Sequence, residues 1–134
     1  MFKKSLKPRG AFTLVEIMIV VAIIALLAAI AVPGFLRARK RSQASRVIND
    51  LRLIDSAVDQ YAIENNKATG AVVNTNDWIV YLKKGSVLYN TAADILGNSY
   101  GVQTVDNLPD VPLSTWNALS DVAGTNFFSP YTHL

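Results

Sequence analysis

The chain has 134 residues, thirteen Lys and Arg against ten Asp and Glu, a net charge of +3 and no cysteine, and 51% of it is apolar. That length fits one domain and excludes a large multidomain enzyme. Without cysteine there is no disulfide framework, thiolate zinc site, cysteine nucleophile or lipid-bearing cysteine, so stability has to come from packing.

Charge is distributed unevenly. Residues 1–52 carry ten Lys and Arg against two acids, a net of +8, whereas residues 53–134 carry three against eight, a net of −5. A basic arm points to nucleic acid or to an anionic membrane surface. Here the basic residues flank an apolar run, which favours the membrane.

From Ile17 to Leu36 there are twenty residues without a charge. At a helical rise of about 1.5 Å per residue they span about 30 Å, one hydrocarbon core. A cleaved secretory signal is the competing reading, with Lys3, Lys4, Lys7 and Arg9 as its basic region and Ala29-Ile30-Ala31 as its cleavage site. Signal cores usually run about 7–15 apolar residues, and this run is longer and is preceded by Glu16. Four positive residues on each side leave orientation undecided by charge.

Glu16 needs a partner, because an ionised carboxylate in hydrocarbon costs several kcal/mol. Thr13-Leu-Val-Glu16 has the pattern of a capping box, with Phe12 placed as a hydrophobic staple. A proteolytic cut just upstream would also create an α-amino group, largely protonated at neutral pH, with which Glu16 can pair.

These residues, Lys7-Pro-Arg-Gly-Ala-Phe-Thr-Leu-Val-Glu16 followed by an apolar run containing Pro33, resemble the leader and first helix of type IV pilins and type II secretion pseudopilins. The resemblance covers about residues 7–62. It implies that a prepilin peptidase cuts on the cytoplasmic side and methylates the new terminus, which supplies the orientation. A cut after Ala11 makes Phe12 the methylated first residue and puts Glu16 fifth and Pro33 twenty-second, as in the family. A cut after Gly10 restores the usual glycine but makes Ala11 the methylated residue and shifts both landmarks by one. Gly10, Ala11 and Phe12 are thus the processing residues, and Thr13, Glu16 and Pro33 the assembly residues. Loss of the leader leaves nine Lys and Arg against ten acids, a net of −1, so the basicity is largely a processing signal.

Beyond the basic cluster, Ala44, Val47, Ile48, Leu51, Ile54, Val58, Tyr61 and Ala62 recur every three or four residues, one stripe of an amphipathic helix reaching about Asn65. One helix from Phe12 to Asn65 would be about 80 Å long, more than a bilayer needs. Pro33-Gly34 predicts a kink, and the resemblance adds local unwinding on assembly. Basic residues Arg37–Arg46 precede acidic Asp50, Asp55, Asp59 and Glu64, an order that lets staggered parallel copies oppose unlike charges.

Residues 67–134, with Tyr61, hold nine of the twelve aromatics but are too few for a comfortable core alone, so the helix stripe is expected to complete it. Residues 67–76 read as a loop, Asn76-Asp77 as the cap of a short helix through Leu82, and Tyr100–Val105 as a strand. Pro109 and Pro112 mark a turn, Ser114 or Thr115 caps a helix ending at Gly124, and Phe127, Phe128 and Tyr131 form a last strand or anchor. The expected architecture is α+β: leader 1–11, transmembrane helix 12–36, amphipathic helix 37–66 and a small tail 67–134 with an antiparallel sheet and short helices.

Asp94-Ile-Leu-Gly97-Asn-Ser-Tyr100 is similar to a turn of the major pseudopilins in its Asp, Gly and Tyr, without that turn's prolines and tryptophan. With the absent cysteine pair of many pilins, this favours a pseudopilin. The calcium loop of major pseudopilins is not recognisable; Asp106, Asn107 and Asp110 read as turn residues, so no cofactor is expected, calcium being the one candidate left open. Gly97-Asn-Ser99-Tyr-Gly101 with Asp121 and His133 has the order of a hydrolase triad, but a strand-like GVQTV follows where the elbow needs a helix. No enzyme is expected. The resemblance implies self-assembly into a helical homopolymer, with prepilin peptidase, an inner-membrane platform, an ATPase and minor pseudopilins as partners and no specific nucleic acid. It places the chain in a bacterial inner membrane with the tail outside the cytoplasm, serving either a secretion pseudopilus or a surface pilus. An uncleaved, membrane-tethered binding module is the alternative from another class.

Overall fold

A computed structural model describes residues 10–133; Lys3, Lys4, Lys7 and Arg9 of the expected leader lie outside the described residues. The chain divides into two compact units between Leu36 and Arg37. One long helix, α1 (Leu14–Glu64), contributes to both.

In the first unit every residue from Ile17 to Leu36 is exposed. This apolar segment is long enough to cross a membrane and finds no protein partner of its own among the described residues. Helical geometry continues through Pro33 and Gly34. Because proline lacks an amide donor, the carbonyl four residues before it loses its intrahelical partner.

The second unit is built on the stripe that the spacing predicts. Ala44, Val47, Leu51, Ile54, Val58 and Ala62 are buried, Ala57 joins them, and Ile48 and Tyr61 pack at the margin. The short elements lie against this stripe in the order β1 (Val72–Val73), α2 (Thr75–Trp78), a 3-10 turn (Ile79–Tyr81), α3 (Val87–Thr91), β2 (Gln103–Thr104), α4 (Leu113–Leu119) and α5 (Thr125–Phe128). The strands pair antiparallel, Val72 opposite Thr104 and Val73 opposite Gln103. The fold is α+β. Trp78 and Phe128 are the largest fully buried side chains, and side chains of this class contribute about 1.5–3 kcal/mol each on burial. The indole of Trp78 donates to the Gly101 carbonyl at 3.3 Å, so its one polar atom is not left unpaired.

Several local expectations are corrected. The segment 67–76 contains β1 rather than being all loop, and the strand expected over Tyr100–Val105 contracts to two residues. Gly101 has φ +65, a left-handed conformation that takes Tyr100 out of the ladder. The first short helix is preceded by Asn74, not capped by Asn76-Asp77, because Asp77 reaches back to accept from the Asn74 amide at 3.1 Å. Sequence reading missed α3, whose cap is Ser86: its hydroxyl accepts from the Tyr89 amide at 3.1 Å. Helix α4 ends at Leu119 rather than Gly124, which instead precedes α5. Thr115 does not cap it, because its hydroxyl donates to Asp94. Of the strand or anchor expected from Phe127, Phe128 and Tyr131, the anchor is what forms: Phe128 and Tyr131 are buried, and Val111 bridges to His133.

Candidate functional site

The first unit holds the residues expected to carry processing and assembly. Glu16 Oε2 accepts from the Thr13 amide at 2.8 Å, and the Glu16 amide donates to Thr13 Oγ1 at 3.2 Å. This is the reciprocal box the spacing predicts, and it satisfies two of the donors that a helix start leaves open. The acid also sits in the first turn, where the helix dipole favours negative charge. The Glu16 oxygen not used by Thr13 has no hydrogen-bond partner among the described residues. Phe12 does not form a shielding staple, being 84% exposed. Gly10 and Ala11 are exposed ahead of the helix, as is Pro33 within it. The arrangement presents an accessible backbone segment, then a capped carboxylate, then twenty apolar residues.

The pattern of the prokaryotic N-terminal methylation motif matches residues 6–32. Type II secretion system core protein G of Pectobacterium carotovorum subsp. carotovorum is 34% identical over 61 residues, 46% of this chain and 38% of that protein. The same protein of Escherichia coli K12 is 35% identical over 60 residues, 45% of this chain and 41% of its own. The type IV major fimbrial protein FimA of Dichelobacter nodosus is 46% identical over 57 residues, 42% of this chain and 36% of that protein. The chain is similar to pilins and pseudopilins. It spans about two fifths of the length of these curated relatives. No solved structure matches it.

In the second unit of this pilin-like chain, the Asp94–Tyr100 turn ties the tail together. Asp94 is buried, and its Oδ1 accepts from the amides of Leu96 at 2.8 Å and Asn98 at 2.9 Å. Its Oδ2 accepts from the hydroxyl of fully buried Thr115 on α4, which in turn accepts from Asn98 Nδ2 at 2.8 Å. Gly97, with φ +86, closes the turn by donating to the Asp94 carbonyl at 3.0 Å. Tyr100 reaches α1, donating its hydroxyl to Asp50 Oδ2 at 3.2 Å. Sequence reading found Asp94, Gly97 and Tyr100 but missed Thr115, Asn98 and Asp50, since nothing local pairs a threonine with an aspartate twenty-one residues away.

Burial raises the Asp50 carboxyl above its ordinary value; the Tyr100 hydroxyl opposes the rise, Asp94 adds to it and Arg46 opposes it. Burial also pushes the Tyr100 phenol up, with Asp50 and Asp94 adding to the effect. A carboxyl whose pKa is higher folded than unfolded takes its proton first in the folded state, so its contribution favours folding at low pH and is lost as pH rises through the folded value. We therefore expect wild type to gain stability relative to Asp50→Asn as pH falls from about 7 toward about 4, read from urea midpoints. Equal pH slopes for the two proteins would show that Asp50 is not perturbed.

The hydrolase-like residues are engaged separately. Ser99 Oγ accepts from the Gly101 amide at 3.1 Å, Asp121 pairs with Lys40 at 2.8 Å, and the His133 ring stacks on Trp116 at 4.0 Å. Asp106 and Asp110 accept from the hydroxyls of Thr69 and Thr132, so both serve as ties between loops.

Proposed function

We propose that this chain is a structural subunit, not an enzyme, of a pilus-like filament, and specifically a type II secretion pseudopilin that polymerises into a periplasmic pseudopilus for protein export. The observation that carries the reading is the first unit: a capped glutamate heading twenty exposed apolar residues, the first sixteen of them inside the matched methylation motif. An apolar surface of that extent needs a bilayer before assembly and other apolar helices after it. In that sequence of events prepilin peptidase cuts after Ala11 and methylates Phe12, with the N-terminus cytoplasmic and the tail outside. The platform, the ATPase and minor pseudopilins act on the inserted subunit. Glu16 then pairs with the terminal amine of a neighbouring copy, and helices pack along the filament axis through the region of Pro33. No cofactor takes part.

Intact mass and N-terminal sequencing of the membrane-extracted protein, with and without functional prepilin peptidase, test this reading. The expected product starts at Phe12, carries one added methyl, depends on the peptidase and shows no mass increment when calcium is added under native conditions. A start at Ala11 would keep the reading and move Glu16 by one position. A start at Val32, or an intact chain in the presence of active peptidase, would overturn it in favour of a secreted or a tethered protein.

A further inference from the structure

The second unit carries two exposed surface features that its own core leaves unused and whose chemistries match. The first is a cleft of about 440 Å³, floored by Ser42, Arg46 and Asn49 on α1 and walled by Val87, Leu88 and Ile95. Val87 is 68% exposed although it opens a helix. Arg46 has no ion pair among the described residues, and Arg39, seven residues earlier, lies along the same helical stripe. Asp50 also lines the cleft, where one of its oxygens accepts the Tyr100 hydroxyl and its charge offsets part of that of Arg46.

The second feature is the loop Asp106-Asn-Leu108-Pro-Asp110. Leu108 is exposed between two carboxylates, while Pro109 beside it is buried. The Thr69 hydroxyl donates to Asp106, and the Thr132 hydroxyl donates to Asp110 at 2.7 Å. These ties set the loop in advance, which reduces the ordering cost of docking it. Each carboxylate keeps acceptor capacity for a further partner.

We propose that the Asp106–Asp110 loop of one copy seats Leu108 in the Arg46 cleft of a second copy, with its two carboxylates facing Arg46 and Arg39. This rests on the filament reading. Because loop and cleft are different surfaces of one chain, the contact is heterologous: each copy offers a loop in one direction and a cleft in the other. Such a contact propagates into a ring or an open helical filament rather than closing as a two-fold dimer. The apolar walls bury Leu108, and the unlike charges fix its register.

The absence of cysteine makes cross-linking clean. Val87→Cys and Leu108→Cys would be placed together in the full chain, expressed with the assembly machinery and oxidised after filaments are sheared off and sedimented. A ladder of dimers and higher species is expected from the double variant, and only dimers from a mixture of the two single variants, which also serves if the double variant fails to assemble. Arg46→Glu should lower the yield of sheared filaments at least about tenfold, since like charges would then meet, with leader cleavage unchanged. Filaments that form normally but give neither ladder nor dimer would overturn the loop-in-cleft contact and leave the filament reading standing. Cross-linking of Val87→Cys only to some other protein would also overturn it. Failure of the wild-type chain to form filaments would overturn both.

Discussion

Glu16→Ala is expected to leave leader cleavage intact and to lower filament yield at least about tenfold, the equivalent of losing one charge-assisted hydrogen bond of about 1.5–3 kcal/mol. Cleavage should survive because Gly10, Ala11 and Phe12 lie exposed ahead of the helix, outside the Thr13–Glu16 box. Assembly should fail because the carboxylate has two separable tasks. One is local: it accepts the Thr13 amide, and losing a cap of this type costs about 0.5–2 kcal/mol of helix stability. The other is proposed between copies, where the charge attracts a neighbour's terminal amine in a setting that screens little. Glu16→Gln separates them, since an amide oxygen can still accept from Thr13 but carries no charge. If charge pairing drives recruitment, Glu16→Gln should assemble as poorly as Glu16→Ala, in sheared filaments quantified against total cleaved subunit. If Glu16→Gln assembles normally, the residue is only a helix cap.

How much of this could be read from the chain depended on how far apart the interacting residues lie. The Thr13–Glu16 box is a three-residue pattern, and the structure forms it with both hydrogen bonds. The buried stripe of α1 is a periodic pattern, and Ala44, Val47, Leu51, Ile54, Val58 and Ala62 are all buried as spaced. The tail was legible only in outline. Its strands are two residues long, so alternation has almost nothing to act on. Its helices begin at positions decided by competition for side chains. Thr115 reads as a cap from its neighbours but goes to Asp94, and Asp77 reads as a cap but closes on Asn74 from within the helix. A staple from Phe12 was expected and is not formed, because an exposed apolar helix offers that ring little to pack against. The Arg46 cleft had no signature in the sequence either, since its floor and its walls come from segments about forty residues apart.

Asp94→Ala is expected to destabilise the tail strongly although it removes no large apolar side chain. The carboxylate accepts the amides of Leu96 and Asn98 and the hydroxyl of Thr115, so it joins the turn to α4 from a buried position. Hydrogen bonds to a charged group contribute about 1.5–3 kcal/mol each, but the buried charge must also be stripped of water, so the net loss is set at about 3 kcal/mol. For a domain of this size that corresponds to a fall in Tm of about 12–24 °C. Trp78 is buried and Trp116 half-buried, both tryptophans of the chain lie in the second unit, and fluorescence of the full-length protein in detergent therefore reports on the tail alone. Thr115→Val keeps the shape of the side chain and removes only the hydroxyl, so it should cost less, about 1–2 kcal/mol. The two substitutions share one interaction, and the double variant should lose less than the sum of the singles. Strict additivity would mean that Asp94 and Thr115 stabilise the tail independently. An Asp94→Ala protein within about 0.5 kcal/mol of wild type would mean that the hydrogen bonds of this carboxylate only offset the cost of burying it.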